Sequence, residues 1–174
     1  MTGTTTPPAT KQEFLDYLHV RWNDFVVITD ALGDEQWTAL ADAAGWTVKD
    51  HVAHVSAWDR AVMGMLSNRT PMRETLGVTE DVWTSNDIDA VNEAIRRQTV
   101  NVSIATVRAT RDSLFAEVTA TYAELPEETY SQPGRDFQMA RDDRTLLECL
   151  VTDGPDHYAE HHRYIRGLVD GDPG

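Results

Sequence analysis

Thr47-Val48-Lys49-Asp50-His51-Val52-Ala53-His54-Val55-Ser56-Ala57-Trp58 is the stretch that decides how this chain is read. Thr47 is a good helix N-cap, and Asp50 stands three residues on, where its carboxylate reaches back to the cap. Val48, Val52, Val55 and Trp58, followed by Val62 and Leu66, recur at helical spacing. The stretch therefore predicts an amphipathic helix over about 47–66. Two histidines ride on it. At about 100° per residue, His51 falls near the middle of the apolar stripe and His54 at its edge, so either can point inward.

The same signals recur on both sides. Thr10 and Glu13 form a capping box, and Phe14, Tyr17, Leu18, Phe25, Ile28 and Leu32 follow, which predicts a helix over 11–32 that stops at Gly33. Asp34 can cap a short helix through Trp37 and Leu40. Residues 67–85, with Pro71 and Gly77, read as a long crossover loop. A third helical region spans 87–124, with a break expected at Thr99–Val102, where β-branched residues and Asn cluster. Residues 127–143 hold Pro133 and Gly134 and read as a second loop. Thr145 and Glu148 form another capping box, and the last helix is expected over 145–169. Its inner face carries Leu147, Leu150, Val151, Tyr158, His161, Ile165 and Leu168, and Pro155 must kink or split it. Strand-like alternation, internal repeats and a Gly-rich phosphate loop are all missing. The expected fold is an all-α four-helix bundle with a long crossover, over residues 10–170. The Thr- and Pro-rich residues 1–9 are expected to be a disordered tail.

With 174 residues and a single cysteine, the chain can bury a core without staples, and no internal disulfide is available. Cys149 sits in the apolar run LLECLV and reads as a small core residue. No apolar run approaches the ~18 residues that span a bilayer. The start, MTGTTTPPAT, lacks the features of a signal peptide, so a cytoplasmic location is expected. A formal net charge of −14 argues against nucleic-acid partners and anionic membranes, because phosphate binding needs clustered Lys and Arg.

Five of the six histidines fall into two groups: His51 and His54, and His157, His161 and His162. His157 and His161 are one helical turn apart on one face, a geometry in which two ring nitrogens grip one ion. His162, rotated by about 100°, is expected to face solvent, and His19 to lie on the surface. A third imidazole from the 47–66 helix would complete a set with open positions left for water or substrate, the mark of a catalytic rather than a structural metal. Bundles build such sites from facing helices.

Gly45-Trp46-Thr47-Val48-Lys49-Asp50-His51-Val52-Ala53-His54-Val55-Ser56-Ala57-Trp58 resembles the G-W-S-V-K-D-x-L-A-H-L-x-x-W segment of DinB-like proteins. His157-Tyr158-Ala159-Glu160-His161, followed by Ile165, is similar to their H-Y-x-E-H-x-x-x-I ending, and Asp87-Ile88-Asp89-Ala90-Val91-Asn92 to a D-x-x-N element before the third helix. The resemblance implies a DinB-like bundle of up-down-down-up topology and a divalent metal, Zn²⁺ or Ni²⁺, held by His54, His157 and His161. His51 stands where the family usually has an apolar residue. It is expected to be a packed histidine, with a place beside the metal or the substrate as the alternative. Pro155 also departs from relatives whose last helix is unbroken.

The superfamily includes thiol-dependent S-transferases, maleylpyruvate isomerase-like N-terminal domains and DfsB-like proteins, and the HYAEH ending leans toward the last. The resemblance thus implies a metal-dependent transferase or hydrolase acting on a small electrophilic molecule, in thiol-dependent S-transfer, detoxification or self-resistance, with a low-molecular-weight thiol as a candidate cofactor. Trp22, Trp46, Trp58, Tyr158 and His51 are candidates for the pocket, and Asp87, Asp89 and Glu93 for a general base or merely a solvated helix start. The competing readings are a non-catalytic protein that sequesters a small molecule, its metal structural or absent, and a homodimeric interaction module.

Overall fold

The structure is a computed structural model that describes residues 7–139 and 142–171. Of the expected tail, residues 1–6 lie outside the described residues. Pro7–Ala9 are irregular and lead into Thr10.

Helix α1 (Lys11–Asp30) starts at the Thr10–Glu13 capping box, with both reciprocal hydrogen bonds present. Helix α2 (Asp34–Ala39) is capped by Gly33 rather than Asp34. The Gln36 side chain takes the Gly33 N–H at 3.1 Å, which leaves Asp34 free to enter the first turn. Helix α3 (Val48–Asn68) begins at Thr47, whose N–H donates to Asp50 Oδ2 at 2.9 Å while its hydroxyl accepts from the Asp50 N–H at 3.2 Å. Each such cap satisfies otherwise orphaned donors and is worth about 1 kcal/mol.

The crossover is more ordered than a loop. It folds into α4 (Met72–Leu76) and α5 (Glu80–Thr84). Met72, Leu76 and Val78 are buried against the bundle, so tertiary burial stabilises turns too short to show periodicity. Helices α6 (Ile88–Thr99) and α7 (Ile104–Glu124) are separated by the expected break, and Ser103 restarts the chain as the cap of α7. The second loop holds two short 3₁₀ turns, Glu127–Ser131 and Gly134–Phe137.

The last helix is continuous but not regular. Helix α8 (Leu146–Val151), capped by the Thr145–Glu148 box, passes through a π turn over Thr152–Asp156 into α9 (His157–Asp170). Pro155 sits inside the π turn, so the chain is neither split nor stopped there. Proline lacks an N–H and crowds the preceding turn, and a wider turn accommodates both defects. The turn also shifts the register. Upstream of it the buried residues are Leu146, Cys149 and Leu150, whereas the expected Leu147 and Val151 are only half-buried; downstream, Tyr158, His161, Ile165 and Leu168 are buried as expected. One extra residue in the turn moves the apolar stripe by one position.

Helices α1, α3, α7 and α8–α9 pack around one apolar core, with Phe14, Leu18, Phe25, Val52, Val55, Val118 and Ile165 fully buried. Cross-helix bonds set their directions. Lys11 Nζ donates to Ala123 O and Leu125 O, both at 2.6 Å, while Arg111, near the start of α7, reaches Asp30 Oδ1 at 2.9 Å, so α1 and α7 are antiparallel. Lys49 Nζ meets Val100 O at 2.7 Å, and at the far end Met63 and Ser67 share a groove with Thr121 and Glu124, so α3 and α7 are parallel. Arg111 is itself buried. It also donates to Thr29 Oγ1 at 2.7 Å and Asp112 Oδ1 at 2.8 Å, bonding that its burial demands. Cys149 is buried and free, and burial raises its thiol pKa, as suits a core residue. Among the described residues no helix is long and apolar enough to cross a membrane.

Candidate metal centre

Helices α3 and α9 face each other, and their histidines meet in the middle. His54 comes from α3, and His157 and His161 from α9; one ring nitrogen from each lies within 4.8 Å of the others. His157 Nε2 and His161 Nε2 are 3.0 Å apart, and the His54 ring centroid is 5.1 Å from that of His157 and 4.8 Å from that of His161. The capping box that starts α3 and the π turn that precedes α9 together set the faces from which these rings project.

Burial favours neutral imidazoles here. Desolvation is the largest cause of the lowered pKa in all three. It brings His157 to about 4 and puts His54 and His161 well below the usual value, with repulsion from the neighbouring imidazoles adding to it in the latter two. Neutral rings are the metal-binding form. The donor set fits a divalent ion on a second count. His54 Nδ1 and His157 Nδ1, like the neighbouring His51 Nε2, are buried without a hydrogen-bond partner among the described residues, and the Nε2 atoms of His157 and His161 face each other with at most one proton to share. A cation is the natural occupant of a site so rich in lone pairs.

His51 is also buried, but it stands outside this set. Its Nδ1 lies 2.9 Å from His161 Nδ1, and its Nε2 lies 3.4 Å from Asp42 Oδ2. His162 is half-buried near Arg21 and Arg166, and His19 is exposed with its edge on Phe115.

The cluster forms part of the wall of a cavity of about 670 Å³. Trp46, Trp58 and Tyr164 supply aromatic walls. The carboxyl groups of Asp42, Asp89, Glu93, Asp153 and Glu160 line it too, and among the described lining residues there is no Lys or Arg. Trp22 and Tyr158 do not line it. Trp22 stacks on Phe115 with centroids 4.1 Å apart, and Tyr158 turns into the core, where its hydroxyl meets both oxygens of the buried Asp59 at 2.9 and 3.0 Å. Asp87 is the N-cap of α6, accepting from the Ala90 N–H at 3.1 Å. Hydrogen bonds from Arg96 and Arg97 hold the Glu93 carboxyl below its usual range, so Glu93 is a poor base.

Two residues of the site were missed in the sequence reading. Asp153 lines the cavity, and burial raises its carboxyl to about 6. It precedes His157 by four residues, so helical spacing offered a signal that Pro155 obscured. Asp42 gave no local signal, because its partner is nine residues on and across a turn.

A family model of the DinB superfamily matches residues 17–165. No functionally curated protein matches the chain. Among solved structures, the chain resembles DfsB, a sibling lethal factor precursor, with a TM-score of 0.76 and 13% identity over 94% of this chain and 97% of that one. An uncharacterised Clostridium difficile protein gives a TM-score of 0.76 at 11% identity, covering 95% of this chain and 98% of that one. The colibactin self-resistance protein ClbS, crystallised with double-stranded DNA, gives 0.75 at 12% identity, covering 94% and 98%. The ClbS complex corrects the expectation that nucleic acid is excluded. Net charge sums the whole chain, whereas phosphate contacts depend on the charge of one face, so −14 does not decide the question for this fold. With the family model spanning most of the sequence and the same bundle in these structures, the chain belongs to the DinB superfamily.

Proposed function

We propose that this chain is a metal-dependent enzyme that adds a low-molecular-weight thiol, or water, to a small electrophile in detoxification or self-resistance. His54, His157 and His161 hold Zn²⁺ or Ni²⁺, a choice that imidazole ligands alone do not make. The observation that carries the reading is the convergence of three neutral imidazoles on the wall of a cavity large enough for a small molecule. When bound, the ion supplies Lewis acidity and lowers the pKa of an attacking thiol or water.

The protein's own groups do the rest. Asp153, raised to about 6, is ionised at neutral pH yet basic enough to take the proton of the attacking group. Trp46 and Trp58 pack against the apolar part of the electrophile. The lining carboxylates repel anions, so neutral or cationic electrophiles are favoured. The likeness to ClbS supports a resistance role and makes duplex DNA a partner to test by mobility shift across a salt series. A free, buried Cys149 thiol suits a reducing cytoplasm.

Metal content of protein never exposed to a nickel column tests the first step, and about one ion per chain is expected. A panel of thiols and electrophiles, run with metal-loaded wild type and His161→Ala, tests the second. Equal turnover by both proteins eliminates metal catalysis. A well-folded protein that takes up no metal favours sequestration, which the aromatic cavity walls would also serve.

A further inference from the structure

We infer that Asp42 and His51 form an outer chain of hydrogen bonds that holds His161 in the tautomer and ring orientation needed for metal binding. This rests on the reading of His54, His157 and His161 as the ligands. Proton placement links the three groups. His161 turns Nε2 toward His157 in the cluster and Nδ1 toward His51. A nitrogen that binds a cation carries no proton, so the single proton of a neutral His161 sits on Nδ1. It then donates across 2.9 Å to His51 Nδ1, which must be bare. The His51 proton is therefore on Nε2, the atom that faces Asp42 Oδ2 at 3.4 Å. Each assignment forces the next, and the chain ends on an acceptor that has no proton to place.

The outer end is built, not accidental. Asp42 Oδ1 accepts from the N–H groups of Ala44 at 2.9 Å and Trp46 at 2.8 Å, which turns Oδ2 toward His51. The Asp42 N–H donates to Trp46 O at 3.0 Å, closing the turn. The His51 ring, only 3% exposed, stacks on Tyr164 at 5.5 Å and lies against Trp46 at 5.6 Å. Two other roles fit less well. A histidine present only for packing would leave its ring nitrogens to find partners by chance, whereas here Nδ1 meets His161 at 2.9 Å and Nε2, otherwise without a hydrogen-bond partner among the described residues, has the Asp42 carboxylate 3.4 Å away. A fourth ligand would have to reach the cluster, yet the His51 nitrogen meets the side of His161 that faces away from His157. Hydrogen-bond partners of metal-binding histidines fix the tautomer, orient the ring and raise its basicity.

The test uses the full chain, stripped of metal and titrated with Zn²⁺ against a chromophoric chelator. Such partners are typically worth about 10–100-fold in metal affinity, so Asp42→Ala and His51→Leu are each expected to weaken Zn²⁺ binding by that much. His51→Gln is expected to recover much of the loss, because its amide oxygen accepts from His161 and its amide N–H donates to Asp42. A packing role predicts the reverse, with Leu rescuing and Gln not. In long-range ¹H–¹⁵N spectra of the Zn²⁺-loaded wild type, His161 should be protonated on Nδ1 with Nε2 on the metal. The proposal is overturned if His51→Leu binds Zn²⁺ as tightly as wild type, or if His161 binds through Nδ1. If wild type takes up no Zn²⁺, the metal-centre reading falls and this one with it. If His51→Leu fails to fold in its circular dichroism, Asp42→Ala and His51→Gln carry the same comparison.

Discussion

Replacing Asp59 by Asn should make the protein more stable at neutral pH and remove a slope from its pH dependence. Asp59 is fully buried on α3, and its carboxyl faces the Tyr158 hydroxyl on α9. Desolvation raises its pKa from 3.8 to about 7, and the Tyr158 hydrogen bond opposes this only in part. Below about pH 4 both folded and unfolded chains keep this proton. Between about 4 and 7 the folded chain keeps it while the unfolded chain loses it, so stability falls as pH rises, by about 1.4 kcal/mol per pH unit. Above about 7 both states are ionised, and a penalty of about 4 kcal/mol remains. Asparagine imitates the neutral acid: its oxygen accepts from the Tyr158 O–H, and its amide can donate to the Tyr158 oxygen. Urea unfolding of metal-free protein, followed by circular dichroism from pH 4 to 8, measures the effect. The stability of Asp59→Asn minus that of wild type should grow by up to about 4 kcal/mol over this range. Asp153, raised to about 6, contributes a slope of the same sign in both proteins, and the subtraction removes it. A difference that stays flat from pH 4 to 8 would refute the reasoning.

His161→Ala should abolish stoichiometric metal uptake and His162→Ala should leave it unchanged, as read by elemental analysis; the opposite pattern would invert the assignment of faces on α9. With the metal-loaded enzyme, activity should rise with pH as the Asp153 carboxyl ionises, below the value of about 6 that burial gives it in the metal-free chain, because a bound cation favours the carboxylate. Asp153→Asn should lower kcat about 10²-fold or more and lose that limb, and an unaltered profile would remove Asp153 from the chemistry. Arg111→Ala removes the guanidinium that joins Asp30 and Thr29 across the α1–α7 contact; Asp30 keeps Arg108 and solvent, and the Thr29 hydroxyl keeps Phe25 O, so the loss of charged hydrogen bonds should cost about 1.5–3 kcal/mol in denaturant unfolding. A cost below about 0.5 kcal/mol would show the buried guanidinium to be dispensable.

What was legible in the sequence is what is local. Capping boxes span four residues and helical periodicity spans a turn, so Thr10, Thr47 and Thr145 marked helix starts that the structure reproduces. The His157–His161 pair was legible for the same reason, because one turn of helix is enough to align two rings. Spacing left His51 and His54 as equals, since both rings project from the same side of α3. Their difference appears only where α9 crosses, with His51 meeting the outer nitrogen of His161 and His54 meeting the cluster. Pro155 was read as a kink or a split because local rules forbid proline inside a regular α-helix. The π turn that admits it is a compromise with core packing, and it moved the inner face of α8 by one residue. The contacts of Asp59 with Tyr158 and of His51 with His161 join residues 99 and 110 apart in sequence. Amino-acid sequence alone set helix starts, apolar faces and the types of ligand available. The identity of each buried polar partner was decided by tertiary structure, because a hydrogen bond depends on position to a few tenths of an ångström, which only the packed helices define.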